Sequence, residues 1–303
     1  MKISFIKKAA SIALLALGTL SIGLPAHAST LINGWNYAND DQLYDGSGGL
    51  SGNDNFGPKS RYDFYGIGFK QVGNELLVGI NTSYSTTGSN VISGVGYGDL
   101  LLDFGYDGGS TFKNAQGALV GIKFATNDSG VSAKGVYTGV TGKSVAGTNS
   151  GYTSLKSYND KVKADNDNKN LANPNSRFGD LLWSDPYFAD YTGGVSIPNV
   201  IKTGTLVNQS VRTLTTAELA AQLFPTTVNL PSNNKKVYGF AFQLPSNLKG
   251  KSFLATLGFE CSNDTVSAYV PRAVPVPPAI AGLGVAGLFG AWRTRRQTKA
   301  KVA

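Results

Sequence analysis

Carboxylates are the residues of this chain best suited to acid–base chemistry, and only three of them are glutamates: Glu75, Glu218 and Glu260. Glycoside hydrolysis needs two carboxyl groups about 5–10 Å apart, one of them with a raised pKa. Glu260 with Asp264 is the best candidate pair, so a secreted glycoside hydrolase is one function to consider. The alternative is that nearby donors satisfy Glu260. Glu75 follows a predicted turn and is expected to be solvated, whereas Glu218 is expected to complete a helix cap.

The scarcity of histidine and cysteine excludes several other classes of enzyme. The only histidine is His27, in a segment predicted to be removed, so the remaining chain lacks the base of Ser-His-Asp or Cys-His catalysis and the histidines of a zinc site. The only cysteine is Cys261, which excludes an internal disulfide and Cys-rich metal sites. Cys261 is expected to be a buried, small apolar residue; an intermolecular disulfide is the alternative.

Aspartates in glycine-rich turns offer a second kind of chemistry. Asp40, Asp41 and Asp45 lie in the turn-rich stretch 30–61, where carboxylates and backbone carbonyls could surround calcium. Asp and Asn also favour turns through their own side-chain hydrogen bonds. These side chains therefore either hold calcium or only shape the turns, and calcium is the one cofactor considered.

Aromatic side chains between residues 183 and 188 offer a third. Trp183 and Tyr187 lie in a Trp-Ser-Asp-Pro-Tyr-Phe run that could present a platform on which a sugar ring stacks. The alternative is that these rings anchor a long insertion to the rest of the domain.

Short strands and turns must position all of these residues. Residues 62–71 and 75–82 alternate in side-chain type around Gly73-Asn74, which predicts a hairpin. Further strands are predicted at 31–37, 99–105, 118–125, 131–140, 237–244 and within 253–270. The pattern predicts an all-β fold, an antiparallel, jelly-roll-like β-sandwich over residues 29–272.

The middle of this domain, residues 148–235, reads as an elaboration containing loops and short helices. Residues 153–164 predict a helix with Leu155, Tyr158 and Val162 on one face. A Thr-Thr-Ala-Glu sequence ending at Glu218 predicts a capping box that opens a second short helix.

Residues 1–28 have the three parts of a secretory signal peptide. A basic start precedes an apolar run over 9–24, and Ala26 and Ala28 form a small-x-small site. Cleavage is predicted after Ala28, with an uncleaved anchor helix as the alternative.

Residues 273–303 are also tripartite. A proline-rich motif comes first, then an apolar run over 279–292, then a basic end; the residues that define the pattern are Pro275, Val276, Pro277, Pro278, Arg293, Arg295 and Arg296. The apolar run gives a helix of about 21 Å, against a hydrocarbon core of about 30 Å, so we expect transient membrane retention with the basic end in the cytoplasm. The alternative is a glycine-rich core helix with a solvated tail.

The two ends also explain the formal net charge of +8. Three lysines before residue 29 and five basic residues after residue 292 account for all of it, because neither segment contains an acid. Residues 29–292 are neutral, and nucleic-acid binding is not expected.

The order of Pro-x-Pro, short apolar helix and arginine cluster resembles the PEP-CTERM sorting signal, which exosortase, a membrane transpeptidase-like enzyme of Gram-negative bacteria, recognises. Val276 stands where that family usually has Glu. Five segments are similar to a cyanobacterial family of exosortase-dependent surface proteins: 35–38, 45–49, 62–66, 97–100 and 260–264. The resemblance implies surface display, with signal peptidase and exosortase as processing partners, and it brings no catalytic residues.

Taken together, the sequence predicts a protein that is exported across the inner membrane, anchored there transiently and displayed at the cell surface or in the extracellular matrix. A non-enzymatic role in adhesion or surface structure is expected, with envelope or matrix polysaccharide as a candidate partner. The alternatives are a calcium-assisted carbohydrate-binding module and a secreted glycoside hydrolase.

Overall fold

Strands dominate the fold. This computed structural model describes residues 29–40, 61–84, 95–168, 177–182, 184–191, 193–226 and 236–272. The strands are β1 Thr30–Ile32, β2 Trp35–Asn39, β3 Phe64–Val72, β4 Glu75–Thr82, β5 Leu100–Asp103, β6 Leu119–Lys123, β7 Gly135–Lys143, β8 Arg177–Phe178, β9 Leu181–Leu182, β10 Val200–Asn208, β11 Arg212–Thr213, β12 Lys236–Phe242, β13 Phe253–Gly258 and β14 Thr265–Val270. The helices are α1 Leu155–Asn168, α2 Thr216–Ala221 and a 3-10 helix at Pro186–Tyr191.

The strands form two antiparallel sheets that pack face to face. The first sheet has the order β1-β2-β3-β4-β12-β11 and the second has the order β10-β7-β6-β5-β13-β14, while β8 and β9 pair separately. Every named pairing within the two sheets is antiparallel. The predicted all-β antiparallel sandwich with inserted short helices is confirmed.

The main core lies between the two sheets and is rich in aromatic rings. Alternate residues of each strand point inward, and rings from opposite sheets meet there. Phe64 stacks on Phe259 with ring centroids 4.2 Å apart, and Phe124 stacks on Phe240 at 4.1 Å. Aromatic pairs of this kind add to the stabilisation that comes from burying apolar area.

The outer face of the first sheet contains a row of glycines that we call the glycine trough: Gly68, Gly79 and Gly239. Gly79 of β4 lies opposite Gly68 of β3 on one side and opposite Gly239 of β12 on the other. Phe224, just after α2, lies in this trough: a Cβ atom added at Gly79 would come within 2.3 Å of its ring. Leu219 of α2 lies over Gly239 in the same way.

The outer face of the second sheet is covered by α1 and the 3-10 helix. The predicted helical face of Leu155, Tyr158 and Val162 is confirmed, because all three side chains are buried in one cluster against this sheet. The predicted capping box is also confirmed: Thr215 accepts from the backbone of Glu218, whose side chain accepts from the backbone of Thr215.

Two expectations about strands differ from the structure. The stretch 31–37 is not one strand, because Asn33 and Gly34 adopt φ values of 52° and 80° and turn the chain between β1 and β2. The stretch 148–235 is more than an elaboration: β10 forms an edge of the second sheet by pairing with β7, and β11 forms an edge of the first.

Candidate functional site

Glu260, the leading catalytic candidate, lies in the turn after β13 and is only 2% exposed. Its Oε1 accepts from the backbone N–H of Asp128 at 2.6 Å, and its Oε2 accepts from that of Gly96 at 2.8 Å. Burial raises the pKa of Glu260, and the two backbone donors oppose this shift. The carboxylate therefore joins the loop before β5, at Gly96, to the loop after β6, at Asp128.

Asp99 lies beside it and was not singled out by sequence reasoning. It is 1% exposed; its Oδ1 accepts from Asn127 Nδ2 at 2.8 Å, and its Oδ2 accepts from Ile201 N at 2.7 Å and from the hydroxyl of Ser129. Burial raises the pKa of Asp99, while these donors and the nearby Lys123 lower it. Asp99 thus ties the loop at residues 124–134 to strand β10.

Lys123 is the buried cation of this group, and its ammonium donates to Asn127 Oδ1. Burial lowers the pKa of Lys123, and the neighbouring carboxylates of Asp99 and Glu260 partly restore it. We call Asp99, Lys123, Asn127, Ser129 and Glu260 the carboxylate cluster. Each of its four carboxylate oxygens accepts a hydrogen bond from the protein, which is the arrangement that offsets the cost of burying a charge.

Asp264, the second member of the proposed hydrolase pair, contacts a different part of the chain. It is 1% exposed; its Oδ2 accepts from Phe64 N at 2.5 Å and its Oδ1 accepts from Thr265 N at 2.6 Å. Burial raises the pKa of Asp264 well above its usual range. The cavity beside it has about 10 Å³, which is room for one water rather than a sugar.

The buried carboxyl groups predict how stability depends on pH. Burial raises the pKa of Asp99, Asp103, Glu260 and Asp264, so above the ordinary carboxyl range the folded state binds more protons than the unfolded chain. Their contribution to stability is complete below the unfolded pKa and is lost as the pH rises through the folded pKa. The only histidine, His27, lies outside the described residues, so no histidine of the sandwich titrates in the same window.

We therefore expect the urea midpoint of unfolding to be higher at about pH 5 than at about pH 7.5. Asp160→Asn is the surface control, because Asp160 is 63% exposed on α1 and lies outside this set of buried carboxyl groups. A midpoint that increases between these two pH values would contradict the assignment.

Of the three predicted calcium ligands, only Asp40 lies within the described residues. Asp40 is fully buried, and its Oδ1 accepts from the backbone N–H of Gly179 at 2.9 Å. Asp41 and Asp45 lie outside the described residues. Within the described ranges, no three His, Cys, Asp or Glu side chains come together as a metal site would require.

The predicted sugar platform is likewise only partly described. Trp183 lies outside the described residues, and Tyr187 is 1% exposed in the cluster on the second sheet. The hydroxyl of Tyr187 donates to Asp103 Oδ2 at 3.1 Å, and its ring packs against Phe112 and Tyr106. A ring in this position has no open face for a sugar and instead anchors the 3-10 helix.

Cys261 is buried, as the sequence predicts, and is a free thiol. Burial raises the pKa of the Cys261 thiol to about 12, so the thiolate that would form a disulfide is scarce at neutral pH.

The residues predicted to direct processing lie outside the described residues. They are the sorting residues Pro275, Val276, Pro277, Pro278, Arg293, Arg295 and Arg296 and the cleavage residues Ala26 and Ala28.

The described part of the chain thus defines a class: an all-β, two-sheet sandwich in which the buried carboxylates of Asp99, Glu260 and Asp264 accept hydrogen bonds from its own backbone. Comparison of the chain with protein-family models, with curated proteins and with solved structures finds no match. Among the described helices, none is both long enough and apolar enough to cross a membrane.

Proposed function

We propose that this chain is an exported surface protein, sorted through its C-terminal tail, with a non-enzymatic role in adhesion or in the structure of the envelope or matrix. The observation that carries the proposal is the placement of charge: all eight surplus positive charges flank a neutral domain, at the ends of two apolar segments. Charge placed in this way directs topology in a membrane.

The contacts of Ser29 support processing after Ala28. Ser29 Oγ lies 2.8 Å from Asp180 Oδ2 and 2.5 Å from the carbonyl oxygen of Tyr269, and Thr30 begins β1. These contacts place residue 29 within the sandwich, and cleavage by signal peptidase after Ala28 would leave them in place.

The end of the sandwich supports processing of the tail in the same way. The last of the described strands, β14, ends at Val270, ahead of the proline motif that begins at Pro275. Cleavage within residues 275–278 would leave both sheets whole. Transfer of the new C-terminus to an envelope component would then display an intact domain.

The surroundings of the buried carboxylates support a non-enzymatic role. A general acid or nucleophile must contact its substrate, whereas Glu260 and Asp264 are each about 2% exposed or less and accept hydrogen bonds from backbone N–H groups. Their geometry fits carboxylates that cross-link loops.

The test is to determine the C-terminus of the protein from its native host by intact mass and peptide mapping, with and without exosortase. We expect an end within residues 275–278 in the parent strain and a tail retained through Ala303 when exosortase is deleted. A triple variant, Pro275→Ala, Pro277→Ala and Pro278→Ala, should also retain the tail, because it removes the motif.

Pro271→Ala is the matched control, since it removes an exposed proline outside the motif and should be processed normally. An intact tail in both strains would mean that the chain is held permanently by its C-terminal segment, and the sorting proposal would be wrong.

A further inference from the structure

An open cleft lies at one end of the sandwich, away from the carboxylate cluster. It has a volume of about 380 Å³ and is lined by Phe104, Lys249, Gly250, Lys251, Ser252 and Arg272. Phe104 directly follows β5, the residues from 249 to 252 lead into β13, and Arg272 follows β14. Because β5, β13 and β14 are neighbours in the second sheet, their ends bring these residues together.

The charge of this cleft is local and of one sign. Lys249, Lys251 and Arg272 are exposed and contribute three positive charges, and none of the six lining residues is acidic. The domain as a whole carries no net charge, so the positive charge of the cleft is a local feature and not part of a generally basic surface. Concentration of one charge sign in a concave site raises the local concentration of ligands of the opposite sign.

Of the three basic side chains of the cleft, one has an internal hydrogen-bond partner. Lys249 Nζ donates to Asn74 Oδ1 at 3.2 Å, in the turn between β3 and β4, which holds its stem while leaving other ammonium hydrogens available. Arg272 presents a planar guanidinium, which binds a carboxylate or sulfate with two parallel hydrogen bonds.

Among the other lining residues, Phe104 gives the cleft an apolar surface suited to contact with the body of a sugar ring. Phe104 is half-buried, and its ring lies against Phe253 with centroids 5.2 Å apart. A second, apolar cavity of about 100 Å³ shares Gly250 and Lys251 with the cleft and is lined by Phe69, Leu76, Phe253 and Val270 among others. Ligand sites of about 300–1,000 Å³ commonly combine such apolar walls with a few charged groups.

We propose that this cleft binds an acidic polysaccharide, with Lys249, Lys251 and Arg272 holding the carboxylate or sulfate groups of one or two sugar units and Phe104 contacting a ring face. The inference deepens the proposed function, because an anionic matrix glycan is a ligand met outside the cell. It uses neither Trp183 nor Tyr187 and needs no calcium. Repetition of the acidic unit along the polymer would add avidity to a weak single site.

The test measures binding of the full chain to polygalacturonate, to dextran sulfate and to neutral dextran by calorimetry. We expect binding to one or both polyanions and none to neutral dextran, with affinity falling as salt is raised from about 50 mM to about 300 mM. Polygalacturonate identifies carboxylate as the group recognised, and dextran sulfate identifies sulfate.

A triple variant, Lys249→Gln, Lys251→Gln and Arg272→Gln, should bind at least about tenfold more weakly. All three side chains are exposed, so the fold should be retained, and thermal unfolding checks this. The matched control is Lys134→Gln, Lys202→Gln and Lys236→Gln, which removes the same charge from exposed positions outside the cleft and should change affinity less than about twofold.

Equal weakening by both triple variants would show a nonspecific charge effect, and absence of binding to either polyanion would also overturn the proposal. These results are independent of the mapping of the C-terminus. A correctly sorted protein that binds no polyanion would leave the proposed function standing and remove only this inference.

Discussion

Replacing Gly79 with alanine is expected to lower the free energy of unfolding by about 1–3 kcal/mol, the usual cost of overpacking a well-packed interior. The added Cβ would lie 2.3 Å from the ring of Phe224. That ring cannot easily move, because it packs edge-on against Trp35 at 4.9 Å and against Tyr37 at 6.1 Å. Either the segment after α2 lifts away from the sheet or the strand distorts.

Urea unfolding of the variant measures this loss, with Gly193→Ala as the control. A Cβ at Gly193 meets no atom within 4 Å and its backbone is not in the left-handed region, so little change is expected there. Combining Gly79→Ala with Phe224→Leu should recover part of the loss, and the double-mutant cycle gives the coupling between the two positions. Equal effects of Gly79→Ala and Gly193→Ala would refute the packing of Phe224 into the trough.

Replacing Asp264 with alanine is expected to cost on the order of 4 kcal/mol of stability. The substitution leaves the backbone N–H groups of Phe64 and Thr265 without their acceptor in the interior, and each buried unsatisfied donor costs about 1–3 kcal/mol. Asp264→Asn should be intermediate, because the amide oxygen can still accept one of the two bonds.

Asp107→Ala is the matched control for this prediction. Asp107 also accepts from two backbone N–H groups, those of Gly109 and Ser110, but its turn is exposed and water can replace the carboxylate. Little change in the urea midpoint is therefore expected. If the Asp264 and Asp107 variants lose stability equally, burial is not what makes Asp264 important.

Local patterns predicted local structure well. Gly73-Asn74 between two alternating runs predicted the hairpin of β3 and β4, and the spacing of Leu155, Tyr158 and Val162 predicted the buried face of α1. In each case the physical cause acts over a few residues: a turn that needs glycine, or a helix that needs one apolar face.

The features that depend on distant pairing could not be predicted in this way. Gly79 and Gly239 read separately as weak strand residues, and only the pairing of β4 with β12 aligns them into a trough. Asp99 and Glu260 enter one cluster because β5 and β13 are neighbours. Of the two interpretations of Glu260 made from the sequence, the one in which nearby donors satisfy the carboxylate agrees with the structure. The sequence did not indicate that Asp99 and Lys123 belong to the same cluster.

The order of strands in the two sheets also determines when both sheets can be completed as the chain emerges. β12 pairs with β4 in one sheet and β13 pairs with β5 in the other, so strands from the end of the chain lie inside both sheets. When the chain emerges with its N-terminus first, β4 and β5 each keep an open edge until residues 236–258 arrive. Such edges invite pairing with other chains. Crowding of nascent chains during that interval therefore favours pairing between molecules over closure of the sandwich.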